Sequence, residues 1–400
     1  MPPAQAEPAA ALPDPVVVVG GGFGGLSTAL QLAGSPGAPP VVLIEPQERF
    51  LFLPLLYELL SGELRRWEVA PRYGELLAGR GVAWLQERVL SIDTINHRLL
   101  TDGQRSLAYG QLVLATGGRP LNTGVPGVDA HAIGFRSLAD VERLQALVER
   151  LGQRQRPLQR LVIVGAGASG VELACKLADL LQGAAIIELI EQGPELLPSA
   201  KAFNREQASQ ALLRRDVRLR CGTRVLAVQA DAIQLAAAAG GGGEALGCDA
   251  VIWTGGVGGS VPELTPSLEL DGRGRLRCDD ELRVIGATDV FALGDASICP
   301  AADDAAAGSP PATAQVAFQQ ANCVATNLLR LRRGQPLQRF IWKDLGEMLG
   351  LGIGEATVTG MGLTLAGPAA FQLRRLAYLA RLPGLQHQLR VAGGWLADWL

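Results

Sequence analysis

Residues 161–174, LVIVGAGASGVELA, open with an apolar run that ends at three glycines, Gly165, Gly167 and Gly170. An uninterrupted apolar run suits a strand buried on both faces of a parallel sheet. G-x-G-x-x-G spacing directly after such a strand marks a dinucleotide-binding turn. Gly165 permits the tight turn, Gly167 lets backbone approach a pyrophosphate, and Gly170 lets the following helix pack on the strand. The start of that helix offers unpaired N–H groups and a positive dipole end to phosphates. The next apolar strand, AIIELIE, ends in Glu191. That acid stands about 20 residues past the last glycine, where a carboxylate bonds a ribose hydroxyl.

The chain carries the same arrangement once before. VVVVGGGFGGLSTAL, residues 16–30, sets a valine run ahead of Gly20, Gly22 and Gly25, and the following strand VVLIE ends in Glu45. Two separate dinucleotides on one chain make sense if electrons pass between them, one a bound flavin dinucleotide and one a diffusible nicotinamide dinucleotide. Glu191 favours the free 2′-hydroxyl of NADH over the phosphate of NADPH. Nearby Arg and Lys residues, including Lys201, leave NADPH open.

The rest of the composition agrees with this frame. Four hundred residues, 48% of them hydrophobic and 50 of them glycine, suit two or three α/β domains with many tight turns. A net charge of -3 gives nucleic-acid binding no electrostatic support. The six cysteines, at 175, 221, 248, 278, 299 and 323, form no C-x-x-C pair. This argues against a zinc site or a dithiol motif and makes a reducing compartment the simplest setting. His97, His131 and His387 show no ligand spacing, so no metal is expected. Residues 1–13 are Pro/Ala-rich and read as a disordered tail rather than a signal peptide. Residues 305–329 and 356–373 are uncharged, yet neither is apolar enough to span a membrane.

Two later motifs complete the pattern. YGQLVLATGGRP, residues 109–120, is a strand running into Ala115, Thr116 and Gly117, and DVFALGDAS, residues 289–297, is a strand running into Gly294 and Asp295. With the fingerprints they resemble the two-dinucleotide-domain flavoproteins, which include the pyridine-nucleotide disulfide reductases. The resemblance covers nearly the whole chain. It implies two Rossmann-like domains, the FAD domain in pieces 14–125 and 286–335, split by an NAD(P)H domain at 126–285. A C-terminal quinone and membrane region, 336–400, follows. It further implies that Gly20, Gly22, Phe23, Gly25, Glu45, Val89, Ala115, Thr116, Gly117 and Asp295 bind FAD. The nicotinamide dinucleotide falls to Gly165, Gly167, Gly170, Glu191 and Gly255, the last in DAVIWTGG.

A disulfide reductase needs a redox cysteine pair in the FAD domain, and no cysteine precedes Cys175. The electrons must leave for another acceptor. FLFLPLLYELLSGEL, residues 50–64, and TAQVAFQQA, residues 313–321, resemble segments of the type II NADH dehydrogenases, membrane-surface flavoenzymes that reduce quinones. By that match Gln315, Val316 and Ala317 contact the isoalloxazine, Gln315 and Gln319 face quinone, and Pro54, Leu55 and Leu56 border the ring. The plain alternative for the FLPLL run is ordinary core. Glu172, in G-x-G-x-x-G-x-E, resembles an acid that faces nicotinamide and flavin in that family. Its plain alternative is an acid favoured near a helix N-terminus. PLLYELLSGELRRWEVAP with YLARLPGLQHQLR resembles the cyanobacterial and plastid branch, which is associated with demethylnaphthoquinone reduction in phylloquinone synthesis.

The C-terminal segment suggests a membrane surface. Leu373, Leu376, Ala377 and Ala380 share one helical face, and Arg374 and Arg381 lie on the other. Arg374, Arg375, Arg381 and Arg390 are opposed only by Asp398, and Trp395 and Trp399 follow. Tryptophan favours membrane interfaces, and a basic amphipathic helix suits anionic lipid. Packing of this helix on its own domain is the alternative. The expected setting is peripheral, on the cytoplasmic side of a thylakoid or plasma membrane, with a homodimer left open. Two rival functions remain at this level: a reductase of a small iron–sulfur protein, and a redox sensor in which the cofactors only set conformation.

Overall fold

A computed structural model describes residues 15–121, 124–153, 159–237, 243–300 and 309–397. The proposed tail at 1–13, and Asp398 and Trp399, lie outside the described residues. The chain forms two compact units, each assembled from separated segments. The first comprises residues 1–50, 72–119 and 258–342, the second 51–71, 120–257 and 343–400.

In the first unit a five-stranded parallel sheet runs in the order Val290–Ala292, Gln111–Leu114, Val16–Val19, Val41–Ile44, Val82–Leu85. Val16 to Val19 lie at its centre and are all buried, as a strand covered on both faces requires. The helix Phe23–Ala33 follows and packs along the long helix Ala314–Arg332. A mixed four-stranded sheet holds Val89–Asp93 between Glu263–Thr265 and Arg98–Thr101.

The second unit repeats the pattern. Its parallel sheet runs Arg218–Arg220, Ile186–Ile190, Arg160–Val164, Ala250–Trp253, Ala132–Ile133. The helix Ala168–Leu181 follows the central strand. One antiparallel sheet, Thr223–Val228, Ala232–Ala237 and Glu244–Gly247, lies on this unit, and a second is built from Glu347–Gly350, Ala356–Gly360 and Leu363–Gly367. The helix Pro368–Leu379 packs on the latter through Ala370 and Phe371.

Segment membership follows burial rather than motif order. Leu56, Tyr57 and Leu60 enter the apolar cluster of the second unit with Leu173, Leu177, Leu349 and Leu351. Residues 51–71 and 343–400 therefore join the fold around 120–257. The motif-based boundaries at 125/126, 285/286 and 335/336 compare with unit boundaries at 119/120, 257/258 and 342/343. Leu276–Arg277 pairs with Ser297–Ile298, which draws the stretch before residue 285 into the first unit.

The C-terminal helix corrects two expectations. Arg374 is 1% exposed, whereas Leu376 is 59% exposed. The helix buries Ala370, Phe371, Arg374 and Tyr378, so the face with Arg374 is covered and the side with Leu376 is left open. Trp395 is also buried: its indole N–H donates to Glu68 at 2.9 Å, and Arg375 lies over its ring at 4.3 Å. Among the described residues no helix is long and apolar enough to cross a membrane.

Candidate active site

The two fingerprints build the same cradle. Gly20 has φ +97° and Gly165 φ +102°, a region that favours glycine. A Cβ on Gly25 would stand 1.8 Å from the Gly20 carbonyl oxygen, and one on Gly170 equally close to that of Gly165. Helix and strand can approach this closely only without a side chain. At Gly22 and Gly167 an added Cβ meets nothing within 4 Å, so the middle glycine of each turn opens onto free space at a helix N-terminus. That is the opening a pyrophosphate needs.

Each acid is oriented in the same way. Glu45 Oε2 accepts from the Gly21 N–H at 2.7 Å and Oε1 from Gln47 at 2.9 Å. Glu191 Oε2 accepts from Ala166 at 2.7 Å and Oε1 from Gly193 at 2.7 Å. Both carboxylates are pinned to the glycine turn and keep lone pairs for ribose hydroxyls. Glu191→Ala should therefore raise KM for NADH by roughly 5- to 30-fold, the worth of about 1–2 kcal/mol of lost hydrogen bonding. KM for NADPH should change less, because its 2′-phosphate gains nothing from a carboxylate. Steady-state kinetics with both nucleotides checks this, and an unchanged ratio would place Glu191 elsewhere.

Of the remaining predicted FAD residues of the first unit, Ala115 and Thr116 close against the fingerprint itself at Gly20, whose Cβ would meet their backbone at 2.4–2.9 Å. The Thr116 hydroxyl is buried with no partner, and Gly117 turns with φ +67°. Phe23 stacks edge-on with Phe50 at 5.4 Å and Phe318 at 5.3 Å. Asp295 lies in the short turn Gly294–Ala296, against the helix Ala314–Arg332. Thr313 caps that helix by accepting from Val316 N–H at 3.3 Å. Val316 and Ala317 are buried, and Gln315 and Gln319 are half-buried. Gln320, which sequence reasoning passed over, accepts from the Gly294 N–H at 2.7 Å and so ties the helix to the Asp295 turn. Val89 is buried at the start of its strand in the mixed four-stranded sheet. An open cradle, an unpartnered buried hydroxyl and an oriented acid fit a dinucleotide such as FAD.

Pro54 and Leu55 belong to the second unit. Leu55 is 1% exposed, and the Pro54 carbonyl accepts from Arg374 at 2.9 Å. In that unit a groove opens beside the second fingerprint, lined by Leu53, Tyr57, Phe135, Ser169, Trp253 and Thr254 among others. The Thr254 hydroxyl donates to Val164 at 2.8 Å, which holds the turn containing Gly255 against Gly165. Glu172 lies past the first turn of the helix Ala168–Leu181, so a dipole-favoured N-terminal acid does not describe it. It is buried close to Tyr57, and burial together with the Glu172 charge pushes that phenol well above its usual range. Burial pushes Glu172 up to about 7, although Arg374 and the Gly350 N–H draw it down. Tyr57 and Arg374 carry no motif of their own; only their proximity to Glu172 singles them out.

No disulfide joins the cysteines. All six are free thiols. Burial pushes Cys299 and Cys323 up to about 11 and Cys175 up to about 12, far from thiolate character near neutrality. Among the described residues no group of His, Cys, Asp and Glu is arranged to hold a metal ion.

Known proteins agree with this anatomy. The family model for pyridine nucleotide-disulphide oxidoreductases matches residues 14–321. The chain is 41% identical over 399 residues to the demethylphylloquinone reductase NdbB of Synechocystis sp., covering 96% of this chain and 97% of that protein. It is 35% identical over 419 residues to the alternative NAD(P)H-ubiquinone oxidoreductase C1 of Arabidopsis thaliana, covering 96% and 80%. Among solved structures, NDH2 from Plasmodium falciparum in complex with NADH shares the fold, with TM-score 0.83, 17% identity and coverage of 94% and 96%. The chain belongs to the type II NAD(P)H:quinone oxidoreductase family, flavoproteins built on two dinucleotide-binding folds.

Proposed function

We propose that this protein is an FAD-dependent NAD(P)H:quinone oxidoreductase that works at a membrane surface and reduces a demethylnaphthoquinone. The observation that carries the reading is the presence of two complete dinucleotide cradles on a chain with no paired cysteines. Electrons enter through one dinucleotide and leave through the other, and no protein disulfide lies between donor and acceptor. Identity across nearly the full length with a demethylphylloquinone reductase supports the choice of quinone. FAD, when bound, supplies the carrier that takes a hydride from NAD(P)H and passes two electrons to quinone.

The chain's own residues do the positioning. The first fingerprint, Glu45, Thr116 and Asp295 hold FAD, and the second fingerprint, Glu191 and Gly255 hold NAD(P)H. The groove beside Ser169 and Trp253 takes the nicotinamide end, with Glu172 close to Tyr57 of its lining. The helix Ala314–Arg332 would offer its N-terminus to charge on a reduced flavin, and Val316 and Ala317 would give the ring an apolar surface. Gln315 and Gln319 bond the quinone oxygens. Membrane contact falls to the exposed leucines of the C-terminal helices, Leu376, Leu385, Leu389 and Leu396, which are 59–69% exposed and accompanied by Arg381 and Arg390.

The overall reaction, NAD(P)H + H⁺ + quinone → NAD(P)⁺ + quinol, is tested by turnover of purified protein with NADH and NADPH against demethylnaphthoquinone, ubiquinone and a small iron–sulfur protein. Reduction of the iron–sulfur protein that no quinone replaces would overturn the reading. Gln319→Leu isolates the quinone half. It should lower quinone turnover by roughly 5- to 150-fold, the equivalent of about 1–3 kcal/mol for an unpaired polar contact. NADH should still bleach the flavin at the original rate in stopped flow. Equal loss in both halves would remove Gln319 from the quinone site.

A further inference from the structure

The second unit buries a charged cluster that no dinucleotide motif accounts for. Arg374 and Glu58 are 1% and 2% exposed, and Nη1 of the first pairs with the carboxylate of the second. Arg374 Nη2 donates to the Pro54 carbonyl at 2.9 Å and stands 3.4 Å from Glu172 Oε1. The same Glu172 oxygen accepts from the Gly350 N–H at 2.6 Å. Glu58 Oε2 and Arg374 Nε are buried with no hydrogen-bond partner. One guanidinium thus serves two carboxylates. Well-packed apolar side chains often replace a buried ion pair without loss of stability, so stability alone does not account for this cluster.

We propose that Arg374 is a positioning residue for Glu172: the C-terminal helix supplies the cation that holds this buried carboxylate in place close to Tyr57. The C-terminal segment then completes the active site in addition to meeting the membrane. The inference rests on the reading of Glu172 as a functional acid. Besides Arg374, the titratable groups facing Glu172 are Tyr57 and Glu58 from the helix Leu56–Leu60, Cys175 on its own helix, and Tyr378 one turn beyond Arg374. Burial works against the Arg374 charge, yet Glu58, Tyr378 and Glu172 outweigh it, so the guanidinium stays charged throughout. Arg374 draws Glu172 down and Glu58 pushes it up. Removing either partner therefore moves the Glu172 titration in opposite directions.

The test uses full-length, FAD-loaded protein carrying Arg374→Met, Arg374→Lys, Glu58→Gln or Glu172→Gln. The Glu172 titration is read from the infrared carboxyl band that disappears in Glu172→Gln, beside the pH profile of quinone turnover. The midpoint should rise by about one pH unit or more in Arg374→Met, a tenfold change in the charged fraction. It should fall in Glu58→Gln and return toward the original value in Arg374→Lys. An unmoved midpoint in FAD-loaded Arg374→Met overturns the proposal. Should that variant lose FAD, an unmoved midpoint in Glu58→Gln does the same. Normal turnover of Glu172→Gln, with the band moving as expected, supports the positioning role and removes instead the functional reading of Glu172.

Discussion

Gly25→Ala should leave a protein that does not retain FAD. The added Cβ would stand 1.8 Å from the Gly20 carbonyl oxygen and 3.0 Å from its carbon. Both are backbone atoms at the join of a central strand and its helix, so no flexible side chain can yield. Overpacking a core costs about 1–3 kcal/mol where side chains rearrange, and more where they cannot. Gly22→Ala is the paired control, because its Cβ enters open space. That variant should melt like the parent without cofactor and bind FAD more weakly, since the methyl group keeps pyrophosphate off the backbone. Flavin absorbance after gel filtration, with thermal melting of the apoprotein, reads both. Full flavin content in Gly25→Ala would show that the strand and helix separate at this turn to admit the methyl group.

Deletion of residues 371–400 should abolish turnover with short-tailed and long-tailed quinones alike. A helix that served only as an anchor would leave activity on a short quinone, which reaches its site through water. This helix carries Arg374, and without it Glu58 and Glu172 remain as buried carboxylates with no cation. Breaking such a pair costs about 3–5 kcal/mol. Deletion of 385–400 is the informative contrast. It removes the exposed Leu385, Leu389 and Leu396 and the contacts of Trp395 and His387 with Glu68, and spares Arg374. That shorter truncation should retain FAD, leave the membrane fraction and keep its activity on short-tailed quinones. Normal short-quinone turnover by the 371–400 deletion, with FAD bound, would reduce the C-terminal helix to an anchor.

Much of the molecule is legible in contiguous residues because its defining geometry is local. Four valines before Gly20, and the turn and helix after it, specify a buried strand and an open helix N-terminus within fifteen residues or so. Glu45 and Glu191 are found by spacing because each closes the strand next to its own fingerprint, and each pins the turn it was expected to serve. The cysteine census likewise argues against a dithiol mechanism without reference to any fold, and all six thiols are free.

Tertiary structure decided what lies between distant segments. Arg374 reads as the polar side of a surface helix until Glu58, 316 residues away, and Glu172, 202 residues away, are brought against it. Trp395 reads as a membrane anchor until Glu68 accepts its N–H. Tyr57 sits in an apolar run with no signature, and only folding brings it to the groove beside the second fingerprint and close to Glu172. The physical reason is common to all three. Backbone conformation and phosphate-binding N–H groups are set by neighbours in the chain, so the sequence by itself determines two dinucleotide cradles and their acids. The burial and charge state of a side chain depend on which remote groups exclude water from it and which opposite charges reach it.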